Sequence, residues 1–251
     1  MSKNELKVVT QFATDFLTVD QIKEFISKIP ELDIYSHDIY NRKPLPPESF
    51  QLYVRTIYDG ALRAGEGRQI LVQDLDLKYA RINLPRTKTG WDWCKCSKHE
   101  KGKLISTDSG CKKCKGKGKL RRRQSTSISE PLAIELHNFV EKYHLGKKNY
   151  LFNSPSFPKQ PISRDWIWKS IRQVGKLSSF EIFGERDKKI MKYVYTHLFR
   201  RSRAMQMDQD GARIGVIARK LRHRNIKDTM RYIRASVADL QKWEKDNGTW
   251  F

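Results

Sequence analysis

Four residues in the C-terminal part of this chain could do chemistry together: His197, Arg200, His223 and Tyr232, all within one 36-residue window. His197 and Arg200 are three apart, so on a helix they share a face. His223 and Tyr232 are nine apart, with a turn expected at Arg224-Asn225 between them. A guanidinium fork grips non-bridging phosphate oxygens, imidazoles supply hydrogen bonds, and a phenolic oxygen can act as nucleophile. Such a set could hold a phosphate and attack it. The alternative is four ordinary surface residues on a basic helical protein, and the rest of the chain must decide between the two.

Charge points to a polyanion. The chain has 50 Lys and Arg against 28 Asp and Glu, a net charge of +22 and a pI near 9.9. Such an excess opposes compactness unless something neutralises it, and nucleic acid is the leading partner. A membrane surface is the competitor, but no apolar run approaches the ~20 residues of a spanning helix. The opening Met1-Ser-Lys-Asn-Glu5 is followed by no apolar signal-peptide core, so a cytoplasmic, nucleoid-associated location in a host cell is expected. With 38% hydrophobic and 31% charged residues in 251, the composition is that of a soluble globular protein of one or two domains.

The elements that must position the four residues can be read coarsely. Thr18 with Gln21 three later predicts a helix start, with Ile22, Phe25 and Ile26 as its apolar stripe and Pro30 as its end. Leu52, Tyr53, Thr56 and Ile57 mark a second helix that stops near Gly60. Tyr79 to Leu84 alternates as a strand, with Ala80, Ile82 and Leu84 on one face, and Arg121 to Pro131 reads as its returning partner. The Lys-, Gly- and Cys-rich segment from Trp91 to Leu120 would then sit at a hairpin tip. Further helices are expected from Pro131 to about His144 and over about 163–175, 187–209, 212–222 and 226–246. The fold class is α+β, mostly helical, with one small antiparallel sheet.

Two more residues join the four. Arg63 lies in Gly60-Ala-Leu-Arg-Ala-Gly-Glu66, just after a helix end, with a carboxylate three residues on. Lys88 lies in Arg86-Thr-Lys-Thr-Gly90, at the end of the first hairpin strand. In order and spacing, Arg63-x-x-Glu66, Lys88, His197-x-x-Arg200, Leu221-Arg222-His223 and Tyr232 resemble the boxes of the tyrosine recombinase (phage integrase) family. The resemblance covers about residues 17–246. It implies a DNA-cleaving and rejoining enzyme of a virus or other mobile element, working through a 3′-phosphotyrosyl bond without metal or ATP. Tyr232 would attack the scissile phosphate. Arg63 and Arg200 would neutralise its developing charge, a task for which Lys is a poorer substitute. Lys88 would be the general acid for the leaving 5′ oxygen. His223 would hydrogen-bond a non-bridging oxygen, His197 would position the phosphate or accept the tyrosine proton, and Glu66 would fix Arg63. Type IB topoisomerase-like enzymes share this chemistry and form one alternative; a non-catalytic zinc-containing DNA-binding protein is another.

The chain departs from the family pattern in three ways. Arg201 follows Arg200 where the family often has His or an aromatic residue, and Arg222 replaces the usual glycine before His223. Both are expected to add positive charge beside the phosphate. The catalytic domain is expected over 18–251 after a lead-in of 1–17, interrupted by the insertion at 91–120, with no N-terminal core-binding domain ahead of it.

All four cysteines fall in the insertion. Cys94-x-Cys96 and Cys111-x-x-Cys114 are two close pairs across a loop, the pattern of a tetrahedral four-thiolate zinc ribbon or knuckle. His99 could replace one cysteine, and an iron–sulfur centre or a redox pair are the other readings. Between Lys95 and Arg123 stand twelve Lys or Arg and two acids. Lys112, Lys113, Lys115, Lys117, Lys119, Arg121, Arg122 and Arg123 are the candidate contacts to double-stranded DNA. The apolar residues after Ala235, ending in Trp250-Phe251, either cover their own core or, as the resemblance implies, pack on a neighbouring subunit in a DNA-bound tetramer.

Overall fold

The computed structural model describes residues 16–32, 46–84, 91–101, 103–121, 124–154, 157, 159–178, 185–186, 189–190, 194–230 and 232–233. Helix α1 (Val19–Ser27) opens on the expected capping box: Thr18 accepts from the Gln21 N–H, and the Gln21 side chain accepts from the Thr18 N–H. Pro30 follows in a single 3₁₀ turn. Helix α2 (Pro47–Asp59) turns Phe50, Tyr53, Val54 and Ile57 into the core. The one-turn helix α3 (Ala64–Gly67) comes next.

Strands β1 (Leu75–Asp76) and β2 (Arg81–Leu84) lead into the insertion, which holds β3 (Trp91–Trp93), β4 (Lys98–Glu100), β5 (Lys103–Ser106) and β6 (Lys119–Arg121). The chain returns along β7 (Gln124–Ser127). The main sheet is antiparallel in the order β1-β2-β7, with Ile82 opposite Thr126. Beyond it β3 pairs with β6, Trp91 opposite Arg121, and β4 pairs with β5. The insertion therefore continues the β2–β7 hairpin, as the sequence predicts. Ile82 and Leu84 are buried as expected, whereas Ala80 closes a 3₁₀ turn in the left-handed region and does not join the strand.

Helices α4 (Glu130–Lys142) and α5 (Arg164–Leu177) follow, then the short pair β8 (Glu185–Arg186) and β9 (Lys189–Ile190), then α6 (Thr196–Gln209), α7 (Ile214–Leu221) and α8 (Ile226–Met230). The helix expected over 187–209 thus begins only at Thr196. The aromatic and β-branched run Tyr193-Val194-Tyr195 favours extended backbone, and Tyr195 adopts it at φ −136°, ψ 157°. Of the last expected helix, over about 226–246, the described part is α8, followed by a turn in which the Tyr232 N–H donates to Thr229 O at 2.9 Å; residues 234–246 lie outside the described residues. Phe16 and Leu17, assigned by sequence to the lead-in, are buried, and the Leu17 N–H donates to Ser202 Oγ on α6 at 2.8 Å. Lys88, Arg122, Arg123 and the segment after Ala235 lie outside the described residues.

One core joins α1, α2, α4, α5 and α6, with Phe25 packed edge-to-face on Phe199 at 5.1 Å and Tyr53 on Phe152 at 5.4 Å. A smaller cluster of Ala61, Ala204, Ile217 and Leu221 lies beside it, and Tyr232 and Ile233 pack against that cluster. The turn carrying α3 is pressed onto α2. Tyr53 is fully buried with its hydroxyl donating to Ala64 O at 3.1 Å, and burial pushes its phenol up, so it stays protonated. A Cβ on Gly67 would stand 2.6 Å from Ile57 Cγ2 and 3.3 Å from Tyr53 Cε2. Gly67→Ala should therefore lower stability by about 1–3 kcal/mol through overpacking. Urea denaturation checks this, and an unchanged midpoint would show that the contact relaxes freely.

Candidate active site

Two helix-terminal turns of one type deliver the site. After α2 the Leu62 N–H donates to Ile57 O and the Ala61 N–H to Tyr58 O, with Ala61 left-handed at φ 46°. After α7 the His223 N–H donates to Ala218 O and the Arg222 N–H to Arg219 O, with Arg222 left-handed at φ 56°. Both are Schellman turns, which normally place glycine at the left-handed position. Arg63 stands two residues beyond the first left-handed residue, and His223 one beyond the second.

Helix α6 joins the turns. His197, Arg200, Arg201 and Ala204 share one face of it, and Leu198 and Phe199 turn into the core. Arg200 has no exposed surface: one Nη donates to Ala61 O at 2.6 Å and the other to Leu221 O, while its Nε has no hydrogen-bond partner. Burial first, then the Arg222 and Arg63 charges, pull the Arg200 pKa down to about 9, so it remains charged at neutrality. The β7 strand ties to both turns, through Thr126 Oγ1 donating to Gly60 O at 2.9 Å and Lys220 Nζ donating to Ser127 O at 2.7 Å.

Arg63 and Glu66 meet as the sequence suggests. The Glu66 carboxylate accepts from the Arg63 N–H at 3.0 Å and from Arg63 Nη1 at 2.8 Å. Burial would raise its pKa, but the charges of Arg222 and Arg63 and the Arg63 N–H hold it below the usual carboxylate range. The Arg63 side chain keeps 31% of its surface exposed, enough to meet an incoming anion.

Tyr232 lies where the other residues converge. Its hydroxyl is 2.7 Å from His197 Nε2, and its ring stacks on His223 with centroids 5.7 Å apart and 17° between planes. The Arg201 guanidinium lies over the same ring at 5.8 Å. His223 Nδ1 is hydrogen-bonded to Thr229 Oγ1 at 3.0 Å. Burial, then the Arg200 and Arg63 charges, lower His223 to about 4, so the free protein carries a neutral imidazole there. Arg63, Glu66, His197, Arg200, His223 and Tyr232 are thus brought together; Lys88 lies outside the described residues.

Arg222 departs from expectation. It adds no open charge, because its side chain is only 4% exposed and its guanidinium turns inward to Glu66 and to backbone carbonyls. Nothing in the sequence marks this inward turn, since a basic residue beside His223 reads as surface charge. Lys220, which docks the hairpin, is equally hidden among the other basic residues of α7.

The insertion gathers its own cluster. One Sγ from each of Cys94, Cys96, Cys111 and Cys114 falls within 4.8 Å of the others, with Cys94 and Cys114 buried. Tetrahedral zinc with Zn–S of ~2.3 Å needs sulfurs ~3.8 Å apart. The Cys94–Cys111 pair stands at 3.8 Å and the Cys96–Cys114 pair at 3.4 Å, so the donor set fits a zinc ion. His99 is outside the group: its ring stacks on Trp93 at 4.6 Å, and Lys119 Nζ lies over that indole at 5.0 Å. Lys112, Lys113, Lys115, Lys117 and Lys119 are all exposed.

Solved structures similar to this one include recombinases. XerA recombinase matches with TM-score 0.60 and 17% identity over 94% of this chain and 66% of its own. XerH site-specific recombinase, bound to its difH substrate before cleavage, gives 0.59 and 12% over 95% and 55%. The Tn1549 transposon integrase in complex with transposon right end DNA gives 0.56 and 13% over 92% and 65%. The chain spans about half to two thirds of the length of these proteins. No curated protein matches it in sequence. Residues 15–238 match the phage integrase family, and with that span and this fold the chain belongs to the phage integrases, the tyrosine recombinases.

Proposed function

We propose that this chain is a site-specific recombinase or integrase of a mobile element that cleaves and rejoins double-stranded DNA through Tyr232. The observation that carries the reading is the 2.7 Å hydrogen bond between the Tyr232 hydroxyl and His197 Nε2, beside the turn that presents Arg63. In the first step the Tyr232 oxygen forms a bond to phosphorus while His197 accepts the phenolic proton. The bond from phosphorus to the 5′ oxygen breaks, and Lys88 gives that oxygen a proton. Arg63, Arg200 and a hydrogen bond from His223 hold the non-bridging oxygens as charge builds on them. Attack by a free 5′-hydroxyl on the phosphotyrosyl bond reverses each transfer and rejoins the strand. Guanidiniums supply the positive charge that divalent cations supply in other phosphoryl transfers.

The four cysteines would hold one structural zinc ion, whose binding supplies folding energy that a module of this size cannot draw from a core. The exposed lysines of the insertion would clamp backbone phosphates beside the cleavage site.

A nicked suicide substrate should trap a covalent adduct with the unsubstituted chain, without Mg²⁺ or ATP, and none with Tyr232→Phe. Arg63→Lys should slow trapping by about 10²–10³-fold, the usual cost of losing a donor to the developing charge. No adduct from the unsubstituted chain would sink the reading, and an adduct without strand exchange would favour a topoisomerase. A phosphate seated against His223 should raise its pKa from about 4. At pH 5.5 DNA binding should therefore take up protons, measured by calorimetry in two buffers of different ionisation enthalpy, and His223→Gln should remove that uptake. Purified protein should carry one zinc per chain by elemental analysis, absent from a Cys111→Ser/Cys114→Ser variant. Deleting residues 91–120 should flatten the salt dependence of DNA affinity, by about 0.9 in slope for every phosphate no longer neutralised; an unchanged slope removes the clamp from the proposal.

A further inference from the structure

Arg222 occupies a backbone position that disfavours it, and does so without reaching solvent. At φ 56° and ψ 38° it sits in the left-handed region at the end of α7, where a Cβ is penalised and glycine is the usual occupant. A glycine would meet the backbone requirement by itself. What the arginine adds is its side chain, whose two Nη groups bond mostly to the neighbouring turn. Nη1 donates to Lys220 O at 2.9 Å and to Gly60 O at 3.3 Å; Nη2 donates to Ala61 O at 3.0 Å and to Glu66 Oε2 at 2.8 Å. Glu66, with 5% of its side chain exposed, is the carboxylate that also grips Arg63 through both its N–H and its Nη1.

We propose that Arg222 is a positioning residue for DNA cleavage. It orients Arg63 through the shared Glu66 carboxylate and fastens His223, its neighbour in the chain, to the same turn. Arg222 itself touches no DNA, because its side chain is only 4% exposed and both Nη groups are engaged by carbonyls and a carboxylate, with Nε buried and without a partner. A planar fork is required: a lysine keeps the charge but cannot reach two carbonyls on one turn, one on its own and a carboxylate together. The inference rests on the reading of Arg63 and His223 as the phosphate-holding groups.

Arg222→Gly is the informative variant, since it relieves the left-handed strain while deleting the fork. DNA affinity, measured by anisotropy in the Tyr232→Phe background, should stay within about threefold, as expected for a group that does not touch DNA. Single-turnover adduct formation at saturating DNA should fall by about tenfold or more, because small misplacements of a catalytic group are costly. Arg222→Lys should restore only a minor part of that rate. Glu66→Gln should be slow as well, and the Arg222→Gly/Glu66→Gln double variant should be no slower than the slower single one, since both break the same link. Cleavage by Arg222→Gly at the unsubstituted rate, a defect confined to affinity, or two defects that multiply would each overturn the inference alone. An unsubstituted chain that forms no Tyr232-linked adduct would overturn the functional reading and the inference with it.

Discussion

The Arg200 guanidinium, fully buried and bonded at once to the carbonyls of Ala61 and Leu221, is the contact on which the site depends. Those carbonyls belong to turns 160 residues apart in sequence, one leading to Arg63 and the other to His223. A buried charge is tolerable only when hydrogen bonds replace its hydration. Carbonyl dipoles do part of that here without cancelling the charge. Among the described residues Glu66 is the acid paired with Arg63 and Arg222, it also acts on Arg200, and His223 is neutral. Like charges about 5 Å apart repel by about 3 kcal/mol at an effective dielectric near 20. The free protein therefore holds its cations together against mutual repulsion, by packing and by carbonyl bonds. An anion arriving among them relieves that repulsion, and the site is organised before it arrives.

Helix α6 makes this organisation rigid. Leu198 and Phe199 anchor it in the core, so His197 and Arg201 emerge on another side, towards Tyr232, while Arg200 stays buried between the two turns. Ser202, one residue further, accepts from the Leu17 N–H and donates to Leu198 O, which binds the start of the described chain to the same helix. The candidate catalytic groups of this helix thus sit next to residues with a structural duty. A displacement of the helix that freed His197 would also have to expose Phe199.

Much of this was legible in the residues alone. The capping box at Thr18, the apolar stripe of α2, the alternation at Ile82 and Leu84 and the Arg63-x-x-Glu66 spacing are local patterns, and local patterns survive into structure. The cysteine spacing likewise brought four sulfurs together. Where the reading failed, a competing preference or a distant partner decided. The extended backbone at Tyr195 delayed the helix that periodicity suggested, and Ala80 was taken into a turn. Arg222 and Lys220 were unreadable for another reason: the sequence contains 50 basic residues, and nothing local distinguishes one that folds back onto a carbonyl from one that faces water.

The insertion and the catalytic core draw their order from different sources, and the hairpin is where they join. On the core side Thr126 is buried and fastened to Gly60 O, in the turn that leads to Arg63. On the far side β4 and β5 are exposed along their whole length, with Leu104 and Ile105 open to solvent, while Cys94 and Cys114 of the cysteine cluster are buried. A unit with so exposed a hairpin would draw its folding energy from a metal held by the four sulfurs, as proposed above. The core, by contrast, has Phe25, Phe50, Tyr53 and Phe199 to hold it. In the proposed function, grip on the DNA backbone and geometry at the phosphate would therefore vary separately, because the lysines hang from the cysteine-bearing unit and the arginines from an apolar core. Only the β2–β7 ladder, with Lys88 in the segment leading out of it, belongs to both.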